Sequence, residues 1–178
     1  MFIRSAAIVI LAATSGFAQS QPRASAPPSV TSQLKSAWAG IRDNIMDAAV
    51  EVPESTYSFR PTPDVRTFGE LIAHLAGAQD SFCAGALGEK GPAEDAVEKA
   101  TKTKAALIEA FRKSNEVCAR AYSQSDADAA KPANASEGGG TRLAALILNA
   151  THDGEHYGNI VTYMRMNHMV PPSSKPRK

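Results

Sequence analysis

Three histidines carry the most chemistry in this chain. His152 and His156 stand four residues apart. On a helix that spacing places two imidazoles one above the other, about 5–6 Å apart at Cβ. A helix offers two nitrogens to one metal ion in this way. His74 falls on the apolar face of another helical segment and could supply a third nitrogen if the two helices are neighbours. Three neutral imidazoles leave positions open around a divalent ion, which marks a catalytic or ligand-binding site and not a closed structural one. The competing readings are a satisfied core histidine at 74 and a chance spacing of the pair. The fourth histidine, His168, is expected at the end of the last helix, where a cation suits the helix dipole.

The run from His152 to His156 also spells H-x-x-E-H, the inverzincin peptidase pattern. That chemistry needs a downstream acidic ligand, and no Asp or Glu follows His156. A peptidase of that type does not fit, and no general base is identifiable. Asp153 and Glu155 are expected on the flank of the histidine face, as solvated charges or as acceptors for a ligand imidazole. Asn159 and Tyr163 lie one and two turns past His156, where they would line a pocket. For Tyr163, core packing is the competing role.

Four amphipathic patterns must position these residues. The first runs from Val30 to Val50, with Val30, Leu34, Trp38, Ile41 and Ile45 on one face, and Pro53 closes it. The second starts at the capping-box pattern Thr67-Phe68-Gly69-Glu70. Leu71, His74, Leu75, Ala78 and Phe82 follow on one face, and Gly88 ends it. The third lies within Ala93 to Tyr122 and starts as late as Thr103, with Leu107, Ile108, Phe111, Cys118 and Tyr122 facing inward. The fourth runs from Thr141 to Met169, with Ala145, Leu148, His152, His156, Ile160 and Tyr163 along one side, before Pro171-Pro172. No segment alternates with period two. The pattern predicts an all-α fold, a four-helix bundle.

The chain starts with a short basic segment, an apolar run from Ala6 to Ala13, and small residues at Gly16 and Ala18. This predicts a cleaved signal peptide over 1–18 and a periplasmic or secreted protein. The apolar run is too short for a membrane-spanning helix of ~20 residues, so no stable membrane anchor is expected. Residues 19–29 read as a flexible Pro-rich spacer, 30–172 as the bundle and 173–178 as a flexible tail. Gly138-Gly139-Gly140 breaks two helical patterns and lacks the context of a phosphate-binding loop. The whole chain has 19 Lys+Arg against 18 Asp+Glu, a net charge of +1. Loss of Arg4 with the leader leaves the charges balanced, so no nucleic-acid partner is expected.

Several segments together resemble one family, the DinB-like (also called YfiT-like) metalloenzymes. Phe59-Arg60-Pro61, followed by Arg66-Thr67-Phe68-Gly69-Glu70-Leu71 and His74, is similar to one family segment. His152 to His156 with Gly158-Asn159-Ile160 is similar to a second, with asparagine in the usual place of glutamine. Tyr163-Met164-Arg165 and Pro171-Pro172-Ser173 resemble the family's ending, and Trp38 also fits. His168 departs from the glycine that usually closes the helix there. The resemblance spans about residues 30–174. It implies a long crossover between the second and third helices, and a divalent metal, zinc or nickel, on His74, His152 and His156. Thiol-dependent transferases and isomerases are among the family's characterised members.

The topology bears on the two cysteines. In antiparallel helices Cys83 and Cys118 would sit at opposite ends. In parallel helices, as the family's crossover implies, they sit at the same end. A Cys83–Cys118 bridge and parallel second and third helices therefore stand or fall together, the alternative being two buried thiols. The leading expectation for function is a metal-dependent hydrolase or small-group transferase acting on a small molecule. The alternatives are a non-catalytic metal- or ligand-binding protein of the cell envelope and a helical interaction module with structural histidines. Exposed apolar residues would permit a homodimer without requiring one.

Overall fold

The computed structural model describes residues 27–134 and 140–176. The expected leader, most of the spacer, Gly138 and Gly139 lie outside the described residues. Six α-helices are present among those described: α1 Val30–Glu51, α2 Phe68–Leu87, α3 Ala96–Ala100, α4 Lys104–Ala121, α5 Asp126–Ala129 and α6 Arg142–Met166. The four long ones form the expected bundle. No helix of the described residues is long and apolar enough to cross a membrane.

Local chemistry sets the helix ends. At the start of α2 the Thr67 hydroxyl accepts from the Glu70 amide at 3.1 Å, and the Glu70 carboxylate accepts from the Thr67 amide at 2.8 Å. Both halves of the capping box are thus formed. Gly88, at φ 80°, ends α2 in the left-handed region that glycine adopts without strain. Thr103 and Thr141 cap α4 and α6. The start of α1 has a second cap from far along the chain. The Asp126 carboxylate accepts from the Val30 and Thr31 amides at 3.0 and 2.9 Å, and from the Thr31 hydroxyl at 2.7 Å. An anion at a helix N-terminus satisfies orphan amides and the macrodipole together. α6 ends at Met166, short of Met169. The left-handed position falls at His168, φ 57°, so the histidine itself takes the turn where the family usually has glycine.

α2 packs against α4 and α6, and α1 packs against α6 and α4, so α1 and α2 lie on a diagonal. Contacts fix the directions. Lys104, at the start of α4, reaches the carbonyls of Val50 and Val52 at the end of α1. Tyr122, at the end of α4, donates to the Leu146 carbonyl near the start of α6 at 2.7 Å. A disulfide joins Cys83 to Cys118, late in α2 and late in α4. α2 and α4 are therefore parallel, and bridge and topology occur together. The order is up, down, down, up, with residues 88–103 running back along the bundle.

The core falls in two clusters. One gathers Ile45, Phe68, Ile72, Leu75, Phe111 and Ile160 at the end where α2 begins. The other surrounds Trp38, the disulfide, Tyr122 and Leu146. Trp38 and Tyr122 stack with ring centroids 4.6 Å apart. Two residues assigned inward by periodicity face solvent: Val30, at the first position of α1, and Leu148, 43% exposed, with Leu146 and Asn149 taking the buried positions. The inward stripe of α6 is partly polar, with Asn149 and Asp153 buried on it, so periodicity of the apolar residues alone misplaces it by about a third of a turn.

Candidate metal centre

α2 supplies His74 and α6 supplies His152 and His156, and the antiparallel packing of the two helices brings the three rings together. Their Nε2 atoms form a triangle with every side 3.1 Å. The rings meet edge to face, with centroids 4.4 to 4.9 Å apart. An imidazole nitrogen has one in-plane site, holding either a proton or a lone pair. Three Nε2 atoms converging in this way cannot all satisfy one another. A single cation with N bonds of about 2.1 Å can satisfy all three. The donor set therefore fits a divalent metal ion, and among the described residues these three histidines form a group that could hold one.

The environment keeps the rings neutral. Burial, then the Arg66 cation and His156, push the His74 pKa down to about 4. Burial, the two neighbouring histidines and Arg66 push His152 down to about 3. His156 is lowered as well, first by burial, against the opposing charge of Glu155. A neutral ring has a lone pair to donate; a protonated one does not.

The far sides of the rings are also held. His74 Nδ1 lies 3.3 Å from Glu94 Oε1 on the crossover. The Asn159 side-chain amide lies 3.3 Å from His156 Nδ1. Phe82 packs edge to face on His152, centroids 5.4 Å apart. Nδ1 of His152 is buried without a hydrogen-bond partner. Glu94 was not legible as a site residue, because it lies in a segment with no periodic pattern.

The two acids between the histidines behave differently. Glu155 is exposed, as expected. Asp153 is fully buried, which corrects the expectation of a flanking solvated charge. Its carboxyl lies 3.4 Å from the Asn149 amide, in a polar seam with Tyr122. Burial raises its pKa well above the usual carboxylate range. α6 is covered by α1 on that side as well as by α2, so the flank of the histidine face is interior.

His156 opens onto a cleft of about 740 Å³, lined also by Arg60, Arg66, Leu71, Asn159 and Tyr163. Tyr163 serves both roles weighed for it, being nearly buried and lining the cleft. Arg66 is pinned there. Its guanidinium holds Glu98 through Nε at 2.8 Å and Nη2 at 3.3 Å. Arg60 pairs with Glu70 at 3.1 Å. A cleft of this size admits a small molecule beside His156.

Residues 37–160 match the family model of the DinB superfamily. No curated protein matches the sequence. Solved structures with the same fold include a DinB-like protein from Bacillus cereus, 16% identical, TM-score 0.67, covering 79% of this chain and 95% of that one. A DinB-like protein from Bacillus subtilis is 20% identical, TM-score 0.64, covering 82% of this chain and 99% of that one. A variant of the mycothiol-dependent maleylpyruvate isomerase is 14% identical, TM-score 0.57, covering 75% of this chain and 65% of that one. At these identities the likeness is one of fold.

Proposed function

We propose that this chain, which belongs to the DinB superfamily, is an exported protein that binds one divalent metal ion, zinc or nickel, through His74, His152 and His156, and uses it as a hydrolase or small-group transferase. The observation that carries the reading is the 3.1 Å triangle of Nε2 atoms between α2 and α6. Zinc and nickel both accept imidazole ligands.

A divalent ion held there supplies Lewis acidity toward a substrate oxygen and activation of water. The protein's own residues do the rest. Depressed basicity keeps the three rings available as donors. Leu71 and Tyr163 wall the cleft beside His156, and the fixed guanidiniums of Arg60 and Arg66 present donors to a polar substrate group. The similarity to a thiol-dependent isomerase supports including thiol conjugates among the substrates to be screened.

One observation favours a second reading, a non-catalytic metal-binding protein of the cell envelope. Neither acid beside the histidines faces the triangle, since Asp153 is in the core and Glu155 is in solvent. Export rests on the leader pattern over 1–18. The disulfide supports it, because such bonds persist in oxidising compartments.

Elemental analysis of the untagged protein beside a His152→Ala variant tests the metal. Near-stoichiometric zinc or nickel, lost in the variant, is the expected result. No metal in either protein, and no thermal shift on adding zinc or nickel, overturns it. Turnover of esters, amides or thiol conjugates by the loaded protein then separates the enzyme from the binding protein.

A further inference from the structure

The crossover does more than return the chain. Residues 88–103 run back along α2 and touch it at successive turns. An added Cβ at Gly91 would come within 2.9 Å of the Ser81 backbone. One turn further, an added Cβ at Gly77 would lie 1.9 Å from the Glu94 carbonyl oxygen. Backbone atoms cannot rotate away as a side-chain tip can. The crossover therefore lies on α2 at this height only because residue 77 has no side chain. Gly77 is three residues after His74, on the same side of the helix. The close approach thus delivers the Glu94 side chain to the back of the His74 ring, at 3.3 Å from Nδ1. That ring is nearly buried, with its side chain 8% exposed.

We propose that Glu94 is a positioning residue for the metal centre: its carboxylate accepts the Nδ1 proton of His74, leaving Nε2 as the metal donor, and Gly77 is what admits it. The inference rests on the three-histidine reading of the site. A ring that donates Nδ1–H to a carboxylate is fixed in tautomer and orientation, and its other nitrogen is a stronger base toward a metal. Among the three rings, His74 comes from the opposite helix and has no partner four residues along its own. A carboxylate from the crossover supplies the constraint that α2 lacks. Further along, Glu98 holds Arg66 at the mouth of the cleft, so one short segment aligns both the ring and the guanidinium.

The test uses the full chain and four variants: Glu94→Ala, Glu94→Gln, Gly77→Ala and the Glu94→Ala/Gly77→Ala pair. Zinc affinity is read by competition with a chromophoric chelator, and the His74 tautomer by imidazole ¹⁵N shifts of the metal-free protein. Glu94→Ala is expected to weaken zinc binding about 10–100-fold and to lose the single Nδ1–H signature. Glu94→Gln, whose amide oxygen still accepts, should fall between. Gly77→Ala should weaken binding to a similar extent, and the pair should be no worse than the weaker single variant, because both act through one contact. Zinc affinity within twofold of the parent in Glu94→Ala, with the His74 shifts unchanged, would overturn the proposal. Losses that multiply in the pair would remove Gly77 from it. Should the parent take up no metal, the site reading itself fails, whereas the ¹⁵N shifts still decide whether Glu94 fixes His74.

Discussion

Tyr163 donates its hydroxyl proton to the Arg66 carbonyl oxygen at 2.9 Å. The bond ties the late turns of α6, two turns beyond His156, to the residue just before the Thr67 cap of α2. It thereby sets the alignment of the two helices that carry the three histidines. Tyr163→Phe should cost about 1 kcal/mol of stability, the ordinary net worth of one hydrogen bond. It should also weaken metal binding while the fold is kept. Denaturant unfolding and a zinc titration on the same variant check both.

Acid should destabilise the metal-free protein through its histidines. The pKa of His74 is about 4 and that of His152 about 3 in the folded state, against an ordinary 6.5. The unfolded chain takes up protons that the folded rings refuse. Their contribution is complete above about pH 6.5 and is lost as pH falls towards those lower values. The melting temperature should drop between pH 7 and pH 4, and replacing His152 with alanine should shrink that drop. Zinc should also stay bound near pH 5.5, where an ordinary histidine is already protonated.

Asp80 should act with the opposite sign. Burial raises its pKa from 3.8 to about 6. Here the folded state binds the proton more tightly, so the favourable contribution is present at low pH and is lost as pH rises through about 6. Asp80→Asn should therefore melt higher than the parent at pH 8 and close to it at pH 4. Thermal unfolding at the two pH values decides it, and an equal gain at both would contradict the assignment.

The Cys83–Cys118 disulfide closes a loop with a sequence separation of 35 and joins two parallel helices. Its reduction, or the Cys83→Ser/Cys118→Ser pair, should cost about 2–4 kcal/mol, chiefly by freeing the unfolded chain. Cys83 lies more than two turns past His74 along α2 and neither cysteine belongs to the triangle, so zinc affinity should be nearly unchanged. Denaturation with and without reductant measures the first, and chelator competition the second.

Much of this was legible in the sequence. The Thr67–Glu70 cap, the Gly88 stop and the i, i+4 histidine pair are local rules, and each appears as expected. His74 was legible as an inward-facing residue. Its meeting with the pair depended on which helices are neighbours, which spacing cannot tell and family resemblance could. Asp153 was misplaced because helical angle gives direction but not what covers that direction. Glu94 and Gly77 escaped notice for a related reason. A carboxylate in an aperiodic segment gives no signal, and a glycine inside a helix shows its purpose only when the backbone above it is seen.

The diagonal placement of α1 and α2 imposes an order on assembly. α1 meets α2 only across the core, where the Trp38 indole donates to the Gln79 side-chain oxygen at 3.2 Å, and packs along its length on later helices. Its partners are α4 and α6, and its first turn is capped by Asp126, 96 residues later in the chain than Val30. Trp38 stacks on Tyr122 at the end of α4 and α1 packs on α6, so its partners lie far along the chain and are gathered late in folding. Trp38 is the only tryptophan, and it stacks on Tyr122. Its fluorescence therefore marks the closing of the bundle rather than the pairing of α2 with α4, and a truncated N-terminal half would never reach that state.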